Sequence, residues 1–513
     1  MTGRRWAVLA VVTALAVGCF GSPAVAGRKK DGKKQAAQVA THPSDLKYPK
    51  LRFEVPEAAK YRHVLSNGIP VYIAEDHSHP LVDMNVTVRC GAFLEQAVDG
   101  LKKGTASMTG TLMRQGGSGD RSAEEFDEAV SFLGAQISSG GGDDSSSAYL
   151  NSTSMVLDQG LDLFFDMLRR PRFEQDRIDI RKAAILEQMK QRNDDARQIA
   201  AREWQWLFRG MEYYTSNLET ADELAALTRD DLVAFYKSYW QPGNMMISVS
   251  GDVDTGAILK ELEARFAGWD AAGPDVPWPP SAPDFTPTPG VYYVQKDIPQ
   301  GRVRIGHLGV QRSDWENPDY YALPVMNDIL GGGGFTSRLV KRIRSDEGLA
   351  YSAGSRFGIG SWAPGIFQIF YQSKSPTVAF AAKIALEEMK KIASEPVSPE
   401  ELETAKNSFI DTFPGRFESP GQIVGTFLND EYIGRPADYW KKYRDRVRKV
   451  SAKDVERVAG TYLHPDRLVF LIVGNWDEIA KGDADGKASM KEFYDGKATR
   501  LPLRDPLTLK PVE

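Results

Sequence analysis

The stretch Leu227–Asp254, LTRDDLVAFYKSYWQPGNMMISVSGDVD, is matched without a gap by Val450–Asp477, VSAKDVERVAGTYLHPDRLVFLIVGNWD. The offset is 223 residues, pairing Thr228 with Ser451, Asp231 with Asp454, Tyr239 with Tyr462, Pro242 with Pro465 and Gly251 with Gly474. Each copy reads the same way physically. A Ser or Thr followed three residues later by Asp caps a helix. Proline stops that helix, and an apolar strand then runs to a glycine. So long a period means two tandem homologous domains, not a solenoid.

Between the copies lies GWDAAGPDVPWPPSAPDFTPTPG, residues 268–290, whose proline density excludes regular helix and marks an extended linker. The expected domains are therefore 51–267 and 291–490, with a tail over 491–513. In each half, strand-like and helical stretches alternate in blocks. YRHVLSNGIPVYIA (61–74) reads as two strands around an Asn-Gly turn, and 82–89 as a third. Helices are expected at 100–114, 122–133, 155–169 and 174–210, and a Gly/Ser-containing strand region at 135–150. The second half predicts strands near 291–297, 303–310, 350–359 and 365–373. Its helices fall near 318–330, 336–345, 376–395, 398–413, 419–431 and 451–463. Mixed sheets with segregated helices give an α+β class.

Of the 513 residues, 42% are apolar and 26% charged, which excludes disordered, collagen-like and polytopic membrane chains. The net charge of −5 argues against a general nucleic-acid binder. Two cysteines, Cys19 and Cys90, exclude a disulfide-stapled scaffold. Cys90 sits in an apolar run and reads as a buried small hydrophobe.

The N-terminus reads as an export signal over 1–26. Arg4 and Arg5 precede WAVLAVVTALAVG (6–18), too short to span a bilayer. Two exits compete: an A-x-A cleavage site ending at Ala26, and a lipobox-like AVGC in which Cys19 would be acylated and anchored to membrane. Residues 27–50 are lysine-rich and polar, a solvated tether. The expected location is the periplasm or cell envelope.

Several segments together resemble the insulinase/pitrilysin family of zinc metallopeptidases. LSNGIPVYIAED is similar to its opening hairpin, and VTVRCGAFLE to its second strand and the turn ending in glutamate. The two Y-x-x-P…G repeats are similar to its domain-closing units. LGGGGFTSRLVKRIRSDEGLAYSAGS resembles its signature in the second half. Together these cover nearly all of the chain after residue 50. The resemblance implies two α+β domains facing each other around a peptide chamber.

It also implies a zinc site built on H-x-x-E-H. No such motif occurs here; the histidines are His42, His63, His77, His79, His307 and His464. Placed by its flanks, GTASMTGTLMRQGG occupies the motif's position. Ser107 and Thr111 then replace the two imidazoles, and Gly110 replaces the glutamate that activates water. Glu187, 76 residues after Thr111, falls where the third ligand belongs, and also reads as an ordinary exposed helix carboxylate. Hydroxyls are poor zinc ligands and glycine cannot take a proton, so no zinc is expected in this chain. His77 and His79 lack an evident third ligand.

In the second half, RSDEGLAY supplies Arg344 and Tyr351 at the spacing of a pair that, in the family, hydrogen-bonds substrate near the scissile carbonyl. A surface arginine and a packed tyrosine would look the same in sequence. The Gly331–Gly334 run before Ser337 and Arg338 reads equally as a flexible turn or as part of a peptide site.

The resemblance thus implies an exported, zinc-lacking subunit. It would bind unfolded peptide and lend Arg344 and Tyr351 to a related partner that carries H-x-x-E-H and its zinc. The alternative is a structural or peptide-binding pseudo-peptidase with no role in hydrolysis. A stand-alone hydrolase with an unconventional site is the third reading.

Overall fold

Both copies of the repeat close their half in the same way. A computed structural model describes Leu46 and residues 53–269, 275–281, 285–483 and 485–512. The export signal, Cys19, Ala26 and, apart from Leu46, the tether lie outside the described residues. The contact-dense unit runs from Phe53 to Glu513.

The first sheet holds β1 (Arg62–Val64), β2 (Pro70–Glu75), β3 (Leu81–Val88), β4 (Gln136–Gly141), β5 (Ser146–Thr153) and β6 (Met245–Gly251). Its spatial order is β1-β2-β6-β3-β5-β4, with only β2 and β6 parallel. The second sheet holds β7 (Gly290–Gln295), β8 (Gln300–Leu308), β10 (Ala350–Phe357), β12 (Ile366–Lys374), β13 (Val469–Gly474) and β14 (Ala498–Arg500). Its order is β10-β12-β8-β13-β7-β14. A short parallel pair, β9 (Val310–Gln311) with β11 (Ile359–Gly360), stands apart. Strand for strand, β2, β6, β3, β5 and β4 correspond to β7, β13, β8, β12 and β10. The outer strand is the exception: β1 belongs to the opening hairpin, whereas β14 is recruited from near the C-terminus and pairs parallel with β7.

Six helices position the site: α1 (Thr105–Gln115), α2 (Gln175–Lys190), α3 (Ala196–Arg209), α4 (Arg229–Tyr239), α5 (Pro420–Tyr432) and α6 (Ala452–Tyr462). The repeated helices α4 and α6 begin on complete capping boxes, Thr228 with Asp231 and Ser451 with Asp454. Each side chain satisfies a backbone N–H that the first turn leaves free.

The 223-residue offset also relates α3 to α5, and these two are exchanged between the halves. α3 buries Ile199, Ala200, Trp204 and Phe208 against Val294, Val469, Leu471 and Val473 of the second sheet. α5 brings Val424 and Phe427 into one apolar cluster with Tyr72 and Ala74 of the first sheet. Each sheet is therefore covered on one face by the other half's helix.

Polar contacts lock the exchange. Glu431, on α5, accepts hydrogen bonds from Arg62 Nε and Nη2, both at 2.8 Å, and from Tyr72 Oη at 2.6 Å. The fork-shaped guanidinium donor makes this a bidentate, charge-assisted pair. The linker's Trp278 stacks on Trp362 of the second half (5.1 Å), and the guanidinium of Arg89 from the first half lies 4.8 Å from its ring. In the segment read as a tail, Arg504 lies 3.4 Å from Glu203 of α3, and Leu507 O accepts from Ala221 N.

We expect Glu431→Gln to lower stability by about 1 kcal/mol at neutral pH, read from urea unfolding. The Arg62 hydrogen bonds hold the Glu431 carboxyl below its ordinary value. Its contribution is therefore present above the unfolded-state value and fades as the pH falls through the depressed one. Wild type and variant should converge in acid; curves that stay separated would contradict this account.

Candidate functional site

The helix expected to carry the zinc motif is α1, and it lies directly against the edge strand β4. A Cβ on Gly110 would stand 2.2 Å from Gly141 N and 2.4 Å from Gly140 C. Conversely, a Cβ on Gly141 would stand 2.1 Å from Ala106 O. Helix and strand thus meet backbone on backbone, an approach open only to glycine. Ser139 Oγ donates to Gly110 O at 2.6 Å, tying the strand to that helical turn. At Gly110 the space beside the helix is filled by the β4 main chain.

The other positions expected for the zinc site carry no metal-binding side chain but Glu187. Ser107 is exposed, and Thr111 is half-buried in a cavity facing α2. Glu187 is an exposed α2 carboxylate, 2.5 Å from Lys190 Nζ. Among the described residues, no group of three or more His, Cys, Asp or Glu could hold a metal ion. Without imidazoles, and with Glu187 engaged by an ammonium, the residues present do not fit a zinc ion. His77 Nδ1 lies 2.7 Å from Asp252 Oδ1. Cys90 is buried and free, and burial pushes its thiol up to about 12.

Glu95, the glutamate ending the VTVRCGAFLE turn, takes an unforeseen part. Its carboxylate accepts from Gly104 N at 3.0 Å and Ala106 N at 2.8 Å, capping the first turn of α1. Burial pushes it up to about 7; the two backbone donors oppose this, and nearby Glu219 and Asp143 add to it. The sequence signal was the turn itself, whose acidic end sits within reach of the next helix start.

The second half does gather its pair. The Arg344 guanidinium lies 4.8 Å from the Tyr351 ring centre and 4.5 Å from that of Phe335. Both rings are open to solvent, Tyr351 at 85% and Phe335 at 68% exposure. Gly348, at φ +63°, makes the turn between them. Two irregularities aim the side chains. Arg344 lies on a widened π-type turn, Val340–Asp346, a feature frequent at functional sites. Tyr351 lies in a β-bulge: β10 spends three steps from Ala350 to Ala353 while β12 spends two from Ser373 to Tyr371. β10 is an edge strand. Arg338 is engaged by Glu401 at 2.6 and 3.0 Å.

A cavity of about 670 Å³ opens between the halves. Asn85, Thr87 and Tyr213 line it from the first half, and Trp362, Asn429 and Tyr432 from the second. The Asp144 carboxylate accepts from Tyr214 Oη at 2.7 Å, and its carbonyl accepts from Tyr432 Oη at 2.6 Å.

Gly110→Ala should destabilise the protein by about 2 kcal/mol or more, because rigid main chain faces the new methyl group. On α5, Gly425 has nothing within 4 Å of its Cβ position, so Gly425→Ala should stabilise by about 0.5–1 kcal/mol. Calorimetry on both variants checks the contrast; equal responses would refute the close-contact account. Glu95 gives a pH signature. Between the ordinary carboxyl value and about 7, the folded protein holds a proton that the unfolded chain has released, so stability falls as pH rises. Relative to Glu95→Gln, wild type should lose on the order of 1–2 kcal/mol across that window, measured by urea titrations at several pH values. Parallel profiles would remove Glu95 as the cause.

Comparisons with known proteins agree with this geometry. Residues 71–205 match the family profile Insulinase (Peptidase family M16), and residues 226–409 match Peptidase M16 inactive domain. A relative named "Uncharacterized zinc protease" from Streptomyces coelicolor is 24% identical over 353 residues, covering 67% of this chain and 75% of that protein. A relative named "Non-peptidase homolog YmxG" from Helicobacter pylori is 24% identical over 426 residues, covering 82% and 94%. In structure, a peptidase M16 inactive domain from Pseudomonas fluorescens aligns at TM-score 0.70 and 22% identity, over 80% of this chain and 97% of that one. The periplasmic protease PqqL from Escherichia coli aligns at 0.68 and 15%, over 86% of this chain and 49% of its own. The tandem fold and the two profile matches together say that the chain belongs to the insulinase (M16) peptidase family, and it does so without an H-x-x-E-H motif in its sequence.

Proposed function

We propose that this chain is a pseudo-peptidase that holds extended, unfolded peptide and does not hydrolyse it. The observation that carries this is the contact of Gly110 with Gly140 and Gly141, which leaves no volume for a catalytic carboxylate. The cavity between the halves, walled by Tyr213, Trp362 and Tyr432 among others, supports peptide as the occupant. Aromatic walls with dispersed hydroxyl and amide groups suit a ligand of variable side chains. The bulged edge strand β10 offers main-chain groups to an added strand.

A second reading rests on the Arg344–Tyr351 pairing. In it, the chain joins a related zinc-bearing subunit and donates these groups to a carbonyl polarised by that subunit's metal. A guanidinium and a phenol placed at a developing oxyanion are worth about 10²–10³ in rate. Export through the segment 1–26, with or without acylation at Cys19, would put either form in the cell envelope.

The test is made on purified full-length protein. Peptide binding by fluorescence anisotropy, sub-stoichiometric zinc and no cleavage are expected. Stoichiometric zinc with chelator-sensitive proteolysis by the isolated chain would overturn the proposal. For the second reading, the protein is combined with an H-x-x-E-H homologue that co-purifies with it. Arg344→Ala and Tyr351→Phe should then slow peptide cleavage by about 10² while leaving assembly intact. Unchanged rates would leave the holding role alone.

A further inference from the structure

Beside the filled catalytic position, α1, α2 and β4 enclose a second cavity, of about 510 Å³. Thr111, Ser138 and Ser139 contribute hydroxyls to its wall, and Arg114, Arg177 and Arg181 contribute guanidinium groups. Only one carboxylate, Asp127, lines it. Arg114 is spoken for: it donates to Asp127 Oδ1 at 2.6 Å and to Ile137 O at 2.9 Å. Arg177 pairs outward with Glu124, and its buried Nε makes no hydrogen bond, with the Asp176 carboxylate 3.8 Å away. Arg181 has a buried, unpartnered Nε as well, and no ion pair among the described residues. Two adjacent buried donors left unmade on cationic groups are a standing cost that a folded protein seldom keeps without use.

We infer that this cavity is a binding site for a peptide carboxylate. The guanidinium fork matches the two oxygens of a carboxylate, and the hydroxyls of Thr111 and Ser138 can donate to its remaining lone pairs, that of Ser139 being engaged by Gly110 O. β4 forms both the cavity wall and the edge of the first sheet, so a peptide paired with that edge would carry a carboxyl group into the pocket. Arg181 would be the principal anchor, with Arg177 Nε completing the pair. The inference rests on the peptide-holding reading. It adds what that reading leaves open: selection for peptides with a free carboxylate, from the C-terminus or from an Asp or Glu side chain.

The probe is a short fluorescent peptide rich in Leu, Ser and Thr with a free C-terminus. It is compared with its C-terminal amide, and with amides carrying one internal Glu or Gln. Binding is followed by anisotropy at low and high salt. The free-acid peptide should bind about tenfold more tightly than its amide, or the internal-Glu amide about tenfold more tightly than its Gln counterpart. The first result assigns the site to the terminus and the second to a side chain. The gain should shrink in high salt and disappear in Arg181→Gln, whose thermal midpoint should not fall, because a buried Nε donor without a hydrogen bond is removed. Should that variant fail to fold, the acid-to-amide and Glu-to-Gln ratios in wild type decide alone. Peptides binding equally well whatever their charge would overturn this inference and leave the peptide-holding reading standing. No binding by any peptide would overturn both.

Discussion

The exchange of α3 and α5 is the constraint on which the rest of the molecule depends. A mixed sheet of six strands has two faces to satisfy, and each half fully covers only one with its own helices. The second face is closed by a helix borrowed from the other half, through Trp204 and Phe208 in one direction and Phe427 in the other. Aromatic burial of this kind is worth several kcal/mol per side chain, so it sets the mutual position of the halves more firmly than the surface ion pairs do. The Glu431 contacts with Arg62 and Tyr72 then fix the register of that packing. The cavity between the halves takes part of its wall from α5, through Asn429 and Tyr432.

With the frame fixed, the seating of α1 follows from two glycines. Gly110 on the helix and Gly141 on β4 let the two elements close main chain against main chain, with no room between them for a side chain at either position. Glu95, holding the first turn of α1 through two N–H groups, keeps that helix seated. The second half has kept its side chains presented outward, on a π-type turn and a bulge, both of which cost regular hydrogen bonding. One half is consolidated and the other remains open.

Much of this was legible in the sequence wherever the determinant is local. The capping boxes at Thr228 and Ser451, the Asn-Gly hairpin and the strand periods act over a few residues, and the elements follow them closely. The duplication was legible because its offset carries no gap. What escaped is long-range. The apolar face of 196–209 predicts that something covers it but cannot say that the cover belongs to the other half. The Gly/Ser stretch of β4 announces a strand, while its match to Gly110 depends on a contact between segments about thirty residues apart in the chain. The spacing of Arg344 and Tyr351 was readable; the bulge that aims Tyr351, and the Phe335 ring on the other side of the guanidinium, were not. The half-buried arginines of α2, with their enclosed Nε atoms, left no mark at all, since an arginine on a charged helix reads as solvated until its neighbours are known.

The borrowed helices also carry a statement about ancestry. A polypeptide containing a single such unit could satisfy its sheet only by trading arms with an identical copy, in a symmetric homodimer. Joining two copies through a proline-rich bridge makes that trade intramolecular and independent of concentration. It also ends the obligation of the two copies to stay alike. Once fused, each lobe can change without the other, a divergence that strict symmetry forbids.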